Sequence, residues 1–212
     1  MSTLSNQQKW IPYQLNQVVN VNDADLSRRN YIEQEDLKGY LRSVSDKIKI
    51  SKIIEFGCGY GRMTQVLTEF TNDVVGIERE PFFVNKACKL IPNITFIQAE
   101  DLSSVPFKNK IADIIITFTF LQHLIEIQAI KVIKEIIRCL KPGGYVLICE
   151  ETDEEIKHGD IYNLRGANCC IGRSLKTYCN YFKPLSLEFT ASRRVEPTFL
   201  RKNVGMYMLF KK

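Results

Sequence analysis

The chain has 212 residues, 45% of them hydrophobic and 25% charged, a balance that suits one globular domain with a sizeable core. Its formal net charge of +5, from 29 basic and 24 acidic residues, is a mild excess and not the footprint of a dedicated nucleic-acid binder. No apolar run approaches the roughly 18 residues of a membrane span, and the opening stretch MSTLSNQQKWIPYQLNQ lacks the apolar core of a secretory signal. The seven cysteines contain no CxxC pair, so no metal site or thioredoxin-like pair is expected, and a reduced, cytoplasmic compartment is the simplest reading.

Taken in chain order, the first periodic segment is Ile32–Ile48, whose Leu37, Leu41, Val44 and Ile48 fall on one helical face. A strand at Ile53–Phe56 runs into a turn with Gly57, Gly59 and Gly61, and Met63, Val66, Leu67 and Phe70 then predict an amphipathic helix. Val74–Ile77 reads as a strand, Phe82–Leu90 as a helix, Ile94–Ile97 as a strand and Asp113–Phe118 as a buried strand. Ile127, Ile130, Ile133, Ile137 and Leu140 recur at helical spacing until Lys141–Gly144, KPGG, ends the helix, and Tyr145–Cys149 is the next strand. Continuous apolar strands alternating with helices imply a doubly wound α/β fold around a mostly parallel sheet. Ser174 is placed to cap a short helix through Tyr178 to Phe182. Leu187–Arg194 and Met206–Lys211 follow with no helix between them, which predicts an antiparallel pair at the sheet edge. A single domain is expected: residues 1–50 a helical cap or lid, 51–150 a cofactor-binding core, and 151–212 an acceptor-side insertion with the sheet edge.

The glycine turn is where chemistry is expected. Open α/β sheets bind ligands beyond the carboxyl ends of their strands, and glycine lets a ligand lie against backbone because it lacks Cβ and accepts positive φ. Glu55 precedes the turn, and a carboxylate there repels a pyrophosphate but tolerates a cationic sulfonium or amine. That disfavours a nicotinamide enzyme, which uses GxGxxG. Glu78 ends the second strand 17 residues after Gly61, where its carboxylate can accept both hydroxyls of a ribose. Glu100 and Asp101 end the third strand, where a carboxylate can accept a hydrogen bond from an adenine amino group.

The set EFGCGYG, VVGIE, FIQAEDLSSVPF, IADIIITFTFLQHL and LKPGG resembles the class I S-adenosylmethionine-dependent methyltransferases of small-molecule type, over about Ile53 to Cys149. The resemblance implies a Rossmann-like, seven-stranded, mostly parallel sheet whose last strand is antiparallel, and S-adenosyl-L-methionine as cofactor. It implies that Glu55, Gly57 and Gly59 line the methionine part, that Cys58 and Gly61 of the same turn also bind the cofactor, and that Glu78 holds the ribose. Arg79 stands where the family often stacks an apolar side chain on the adenine. Asp101 is placed at the adenine amino group with Leu102 beside the ring, and Thr117, Phe118 and Phe120 near the departing methyl group. His123 and Glu150 are the catalytic candidates, with Glu151 a further carboxylate nearby; the alternative for His123 is a structural residue packed at a helix start.

The acceptor is read from the flanks. The TFTF segment lacks the N/D-P-P-Y/F sequence of base-amino methyltransferases, so no nucleic acid partner is expected, nor a membrane. A small-molecule O or N acceptor is the leading expectation, with Tyr13, Tyr31, Phe120, Arg165 and Asn168 as candidate contacts. Trp10, Tyr13, Tyr31 and Tyr40 would form an aromatic lid or, alternatively, pack their helix on the sheet. A protein methyltransferase acting on a terminus or side chain, and an S-adenosylmethionine-binding protein without activity, stay open as alternatives.

Overall fold

A computed structural model describes residues 24–158, 170–194 and 205–212. Helix α1 (Ala24–Ser45) leads into β1 (Ile53–Phe56), a 3₁₀ turn (Thr64–Glu69), β2 (Val74–Glu78), α2 (Pro81–Leu90) and β3 (Thr95–Gln98). Then come β4 (Ala112–Phe118), a short 3₁₀ turn (Leu121–His123), α3 (Glu126–Cys139) and β5 (Leu140–Glu150). The two-residue strands β6 (Lys157–His158) and β7 (Cys170–Ile171) pair with each other, and α4 (Leu175–Tyr181), β8 (Ser186–Ser192) and β9 (Met206–Lys211) complete the described chain.

Seven strands form one sheet in the order β3-β2-β1-β4-β5-β9-β8. The first five are parallel, and β9 lies antiparallel to both β5 and β8. The order reverses at β1, which sits between β2 and β4, so the carboxyl ends of these strands diverge there and leave a crevice. Period-two alternation divides the core between the two sheet faces. Ile54, Phe56, Ile115, Val146 and Ile148 pack with Val132, Ile133 and Ile136 of α3 and with Tyr178 and Phe182. Ile53, Ile114, Ile116, Tyr145 and Leu147 pack with Leu37, Leu41 and Val44 of α1 and with Met63, Val66 and Leu67 of the 3₁₀ turn.

Three expectations are adjusted. The segment after the glycine turn is a 3₁₀ helix, not an α-helix. Its β-branched Thr64, Val66 and Thr68 disfavour an α-helix, and the i, i+3 stacking of a 3₁₀ helix still brings Val66 above Met63 toward the core. Helix α1 begins before Ile32 and ends at Ser45, before Ile48. KPGG lies just beyond Cys139, the last residue of α3, and belongs to β5: Gly143 takes φ +76°, Gly143 N–H donates to Lys212 O, and Lys212 N–H donates to Gly144 O. The late antiparallel pair forms as expected, with β9 inserted between β5 and β8, so that of the two strands β8 is the one at the sheet edge. Ser174 caps α4 as expected, accepting from Thr177 N–H. Among the described residues no helix is long and apolar enough to cross a membrane.

Candidate functional site

A cleft of about 980 Å³, its open mouth included, lies beyond the carboxyl ends of β1, β2 and β4. Its floor is the glycine turn. The N–H groups of Gly57 and Cys58 both donate to Ile77 O, which ties the turn to β2. Gly57, Gly59 and Gly61 all take positive φ, +70°, +55° and +86°. They serve different ends. A Cβ on Gly57 would strike the Phe120 ring, and one on Gly61 would strike Ile91 and Phe96, so these two allow close internal packing. A Cβ on Gly59 would meet nothing within 4 Å. Gly59 lines the cleft, so its bare backbone faces the space a ligand would fill.

Two carboxylates frame that space. Glu78 accepts from the N–H groups of Gly59 (3.0 Å), Arg79 (2.8 Å) and Glu80 (3.0 Å), which fixes the carboxylate at the cleft wall and still leaves acceptor capacity for hydroxyl donors. Burial raises its pKa and the three backbone bonds work against that rise. Glu55 lies deeper, 2% exposed, and accepts from the Thr64 hydroxyl. Burial pushes its carboxyl up to about 7, against the Thr64 bond and the Arg62 charge. A buried carboxyl of this kind gains from a cation placed above it. Phe83 and Leu102 give the cleft apolar walls, and Arg79 pairs with Glu80 at 3.0 Å beside them.

The segment after β4 forms the opposite wall through Phe118, Thr119, Phe120, His123 and Leu124. Thr119 sits at φ +49°, rare for a β-branched residue, and its N–H donates to Cys149 O at 2.7 Å. Arg62 lines the same end of the cleft. Its guanidinium lies 5.1 Å from the Phe118 ring centroid, and that of Arg193 lies 5.2 Å from it. Both are held by Glu33 of α1, which is 1% exposed and also binds Arg29. Burial alone would raise the Glu33 pKa; the charges of Arg62, Arg193 and Arg29 outweigh it and lower it to about 2.

Of the residues singled out in the sequence, Glu55, Gly57, Cys58, Gly59, Glu78, Arg79, Leu102, Phe118, Phe120 and His123 converge on this one cleft. Others lie apart from it. Gly61 packs under the turn. Asp101 is exposed and accepts from the N–H and hydroxyl of Ser103, which hold its pKa low, so it closes a local turn. Thr117 and Glu150 are buried behind the wall and bonded to each other at 2.8 Å. Glu151 accepts from the N–H groups of Thr152 and Asp153. Tyr31 is 65% exposed on α1 and does not line the cleft. Tyr13, Arg165 and Asn168, like Trp10, lie outside the described residues. The structure adds Tyr60, Arg62, Met63, Glu80, Phe83, Thr119 and Leu124 to the lining. Arg62 was within reach of sequence reasoning because it follows the last glycine directly; Thr119 was not, since nothing in TFTF announces positive φ.

Residues 54–148 match the family profile described as a methyltransferase domain. Over 95 residues the chain is 33% identical to an uncharacterized methyltransferase of Synechocystis sp., covering 44% of this chain and 43% of that protein. Over 96 residues it is 30% identical to one of Oceanobacillus iheyensis, covering 45% of each. These similarities therefore span less than half of the relatives' lengths. Among solved structures, the N-methyltransferase NodS of Bradyrhizobium japonicum in complex with S-adenosyl-L-homocysteine superposes with a TM-score of 0.68 at 17% identity, covering 93% of this chain and 97% of that one. A SAM-dependent methyltransferase of Methanosarcina mazei superposes with a TM-score of 0.65 at 17% identity, over 78% and 93% of the two chains. With the glycine turn, Glu78 and the strand order already in place, residues 54–148 are similar to a methyltransferase domain, and the fold of the chain is that of the superposed methyltransferases.

Proposed function

We propose that the chain binds S-adenosylmethionine in this cleft and transfers its methyl group to an oxygen or nitrogen atom of a small-molecule acceptor. The observation that carries the binding half is Gly59, whose backbone borders open space beside the fixed carboxylate of Glu78. The cofactor supplies an electrophilic methyl carbon on a sulfonium that is already a good leaving group. The residues of the chain then bind and orient. Gly57 and Gly59 admit the methionine part against backbone, and Glu55 faces its cationic groups from below. Glu78 accepts from the ribose hydroxyls, and Leu102 and Phe83 give a base an apolar slot.

Positioning is the main catalytic device in such an in-line displacement and can supply about 7–11 kcal/mol in favourable cases. Phe118 and Phe120 exclude water from the reacting end, and His123, at the same wall, takes up the proton of a hydroxyl or amine acceptor. One observation supports a small acceptor: Phe118, Phe120 and Leu124 give the cleft an apolar and aromatic wall at that end. The test uses methyl-labelled S-adenosylmethionine with separate metabolite and peptide pools. Label in the metabolite fraction supports the reading. Label confined to peptides replaces it with protein methylation, and binding without transfer to either pool leaves a cofactor-binding protein.

A further inference from the structure

Glu150 closes β5, is 1% exposed, and does not itself line the cleft. Its carboxylate accepts three hydrogen bonds: from the Thr117 hydroxyl at 2.8 Å, Phe120 N–H at 3.2 Å and Gln122 N–H at 3.1 Å. All three donors belong to the end of β4 or to the irregular segment after it. That segment has no sheet ladder to satisfy its buried N–H groups, and a buried donor left unmet is costly. The same segment supplies the cleft wall Phe118, Thr119, Phe120, His123 and Leu124.

Other bonds hold the segment from the same side. Thr119 N–H reaches Cys149 O, Glu151 N–H donates to Gln122 Oε1 at 2.9 Å, and the Arg173 guanidinium donates to Leu121 O and Leu124 O. Thr119 is held at φ +49°, a conformation that persists only where surrounding bonds over-determine it. Two of the three Glu150 bonds fall on the residues that follow Thr119. The choice of residue type also matters. A carboxylate is acceptor-only and can meet three donors, whereas an amide turns one of its two polar atoms into a donor facing an N–H.

We infer that Glu150 is a positioning residue: its carboxylate sets the place of the segment Phe118 to Leu124, and through it the aim of Phe120 and His123 at the acceptor, without contacting either reactant. This rests on the methyl-transfer reading. It also separates two jobs within one cleft, because Glu78, at the end of β2, bonds to Gly59 in the turn after β1 and to Arg79 and Glu80, whereas Glu150 bonds to Thr117, Phe120 and Gln122.

The test compares the full chain with Glu150→Gln and Thr117→Val. Three quantities are read: S-adenosylmethionine affinity by calorimetry, label transfer from saturating S-adenosylmethionine into the small-molecule extract, and hydrogen exchange at the Phe120 and Gln122 amides. Glu150→Gln should slow transfer roughly 100-fold, the scale of a misplacement of about 1 Å. Its cofactor affinity should stay within about threefold, and both amides should exchange at least about tenfold faster. Thr117→Val keeps the carboxylate and removes one donor. It should slow transfer roughly tenfold with affinity unchanged, and it carries the test should Glu150→Gln fail to fold. Transfer within threefold of wild type, or a loss of affinity equal to the loss of rate, overturns the inference, as does unchanged exchange at both amides. Absence of transfer by the wild type overturns the methyl-transfer reading instead, and the exchange rates then report on the brace alone.

Discussion

Glu33→Gln should destabilise the protein strongly at neutral pH and weakly in acid. Glu33 is 1% exposed and binds Arg29 Nε at 2.8 Å, Arg193 Nε at 3.0 Å and the Arg62 guanidinium. These charges lower its pKa from 4.5 to about 2. A fall of that size is worth about 3 kcal/mol in favour of the folded state, at 1.36 kcal/mol per pKa unit. The sign follows from the direction. A depressed carboxyl contributes its full stability above the unfolded pKa of 4.5 and loses it as pH falls toward 2. The expected cost of Glu33→Gln is therefore about 3 kcal/mol at pH 7, shrinking to roughly 1 kcal/mol at pH 3. An independent measure agrees in scale, since removing one partner of a buried ion pair commonly costs about 3–5 kcal/mol. Urea unfolding of both proteins at the two pH values reads the difference. A cost below about 1 kcal/mol at pH 7, or one that does not change with pH, would refute the reasoning.

Glu55→Gln should act with the opposite sign. Burial raises the Glu55 pKa to about 7, so the unliganded protein loses stability as pH rises from the ordinary carboxyl range through 7. The glutamine variant, which can still accept from Thr64, should remove this fall and unfold at higher temperature than the wild type at pH 8, with little difference at pH 5; equal behaviour at pH 8 contradicts the assignment. Gly59→Ala places a methyl group in open space at φ +55°, so it should cost only about 1–2 kcal/mol of stability yet weaken S-adenosylmethionine binding at least tenfold. Calorimetry showing unchanged affinity would remove Gly59 from the cofactor site.

The strand–helix alternation was legible because each central strand is buried on both faces and therefore reads as an unbroken apolar run, as IIEF and ADIIITF do. The cleft-lining residues at the glycine turn were legible because they lie at fixed offsets from strand ends: Gly59 after β1 and Glu78 closing β2. Long-range pairing was not. Glu33 is an unremarkable acid on a helix until Arg62 and Arg193, 29 and 160 residues away, close on it. Glu150 was visible as a carboxylate at a strand end, the position that suggested catalysis. Only its bonds to Phe120 and Gln122 reveal that it faces the back of the wall. Asp101 shows the converse: a residue at the expected offset turns to the local Ser103, because a short carboxylate two residues from a free N–H closes a turn on its own. The ribbon of β6 and β7 pairs only two residues on each strand, Lys157–His158 with Cys170–Ile171, too few for a periodic signal.

The central claim is that the Gly59 and Glu78 cradle holds S-adenosylmethionine. Calorimetric titration of the wild type and of Glu78→Ala with S-adenosyl-L-homocysteine, which cannot turn over, tests it most directly. The account predicts saturable one-to-one binding by the wild type and a loss of at least tenfold in the variant, since two ribose hydroxyls lose a charged acceptor. Absence of binding by the wild type at millimolar ligand, or equal affinity in the two proteins, would contradict it.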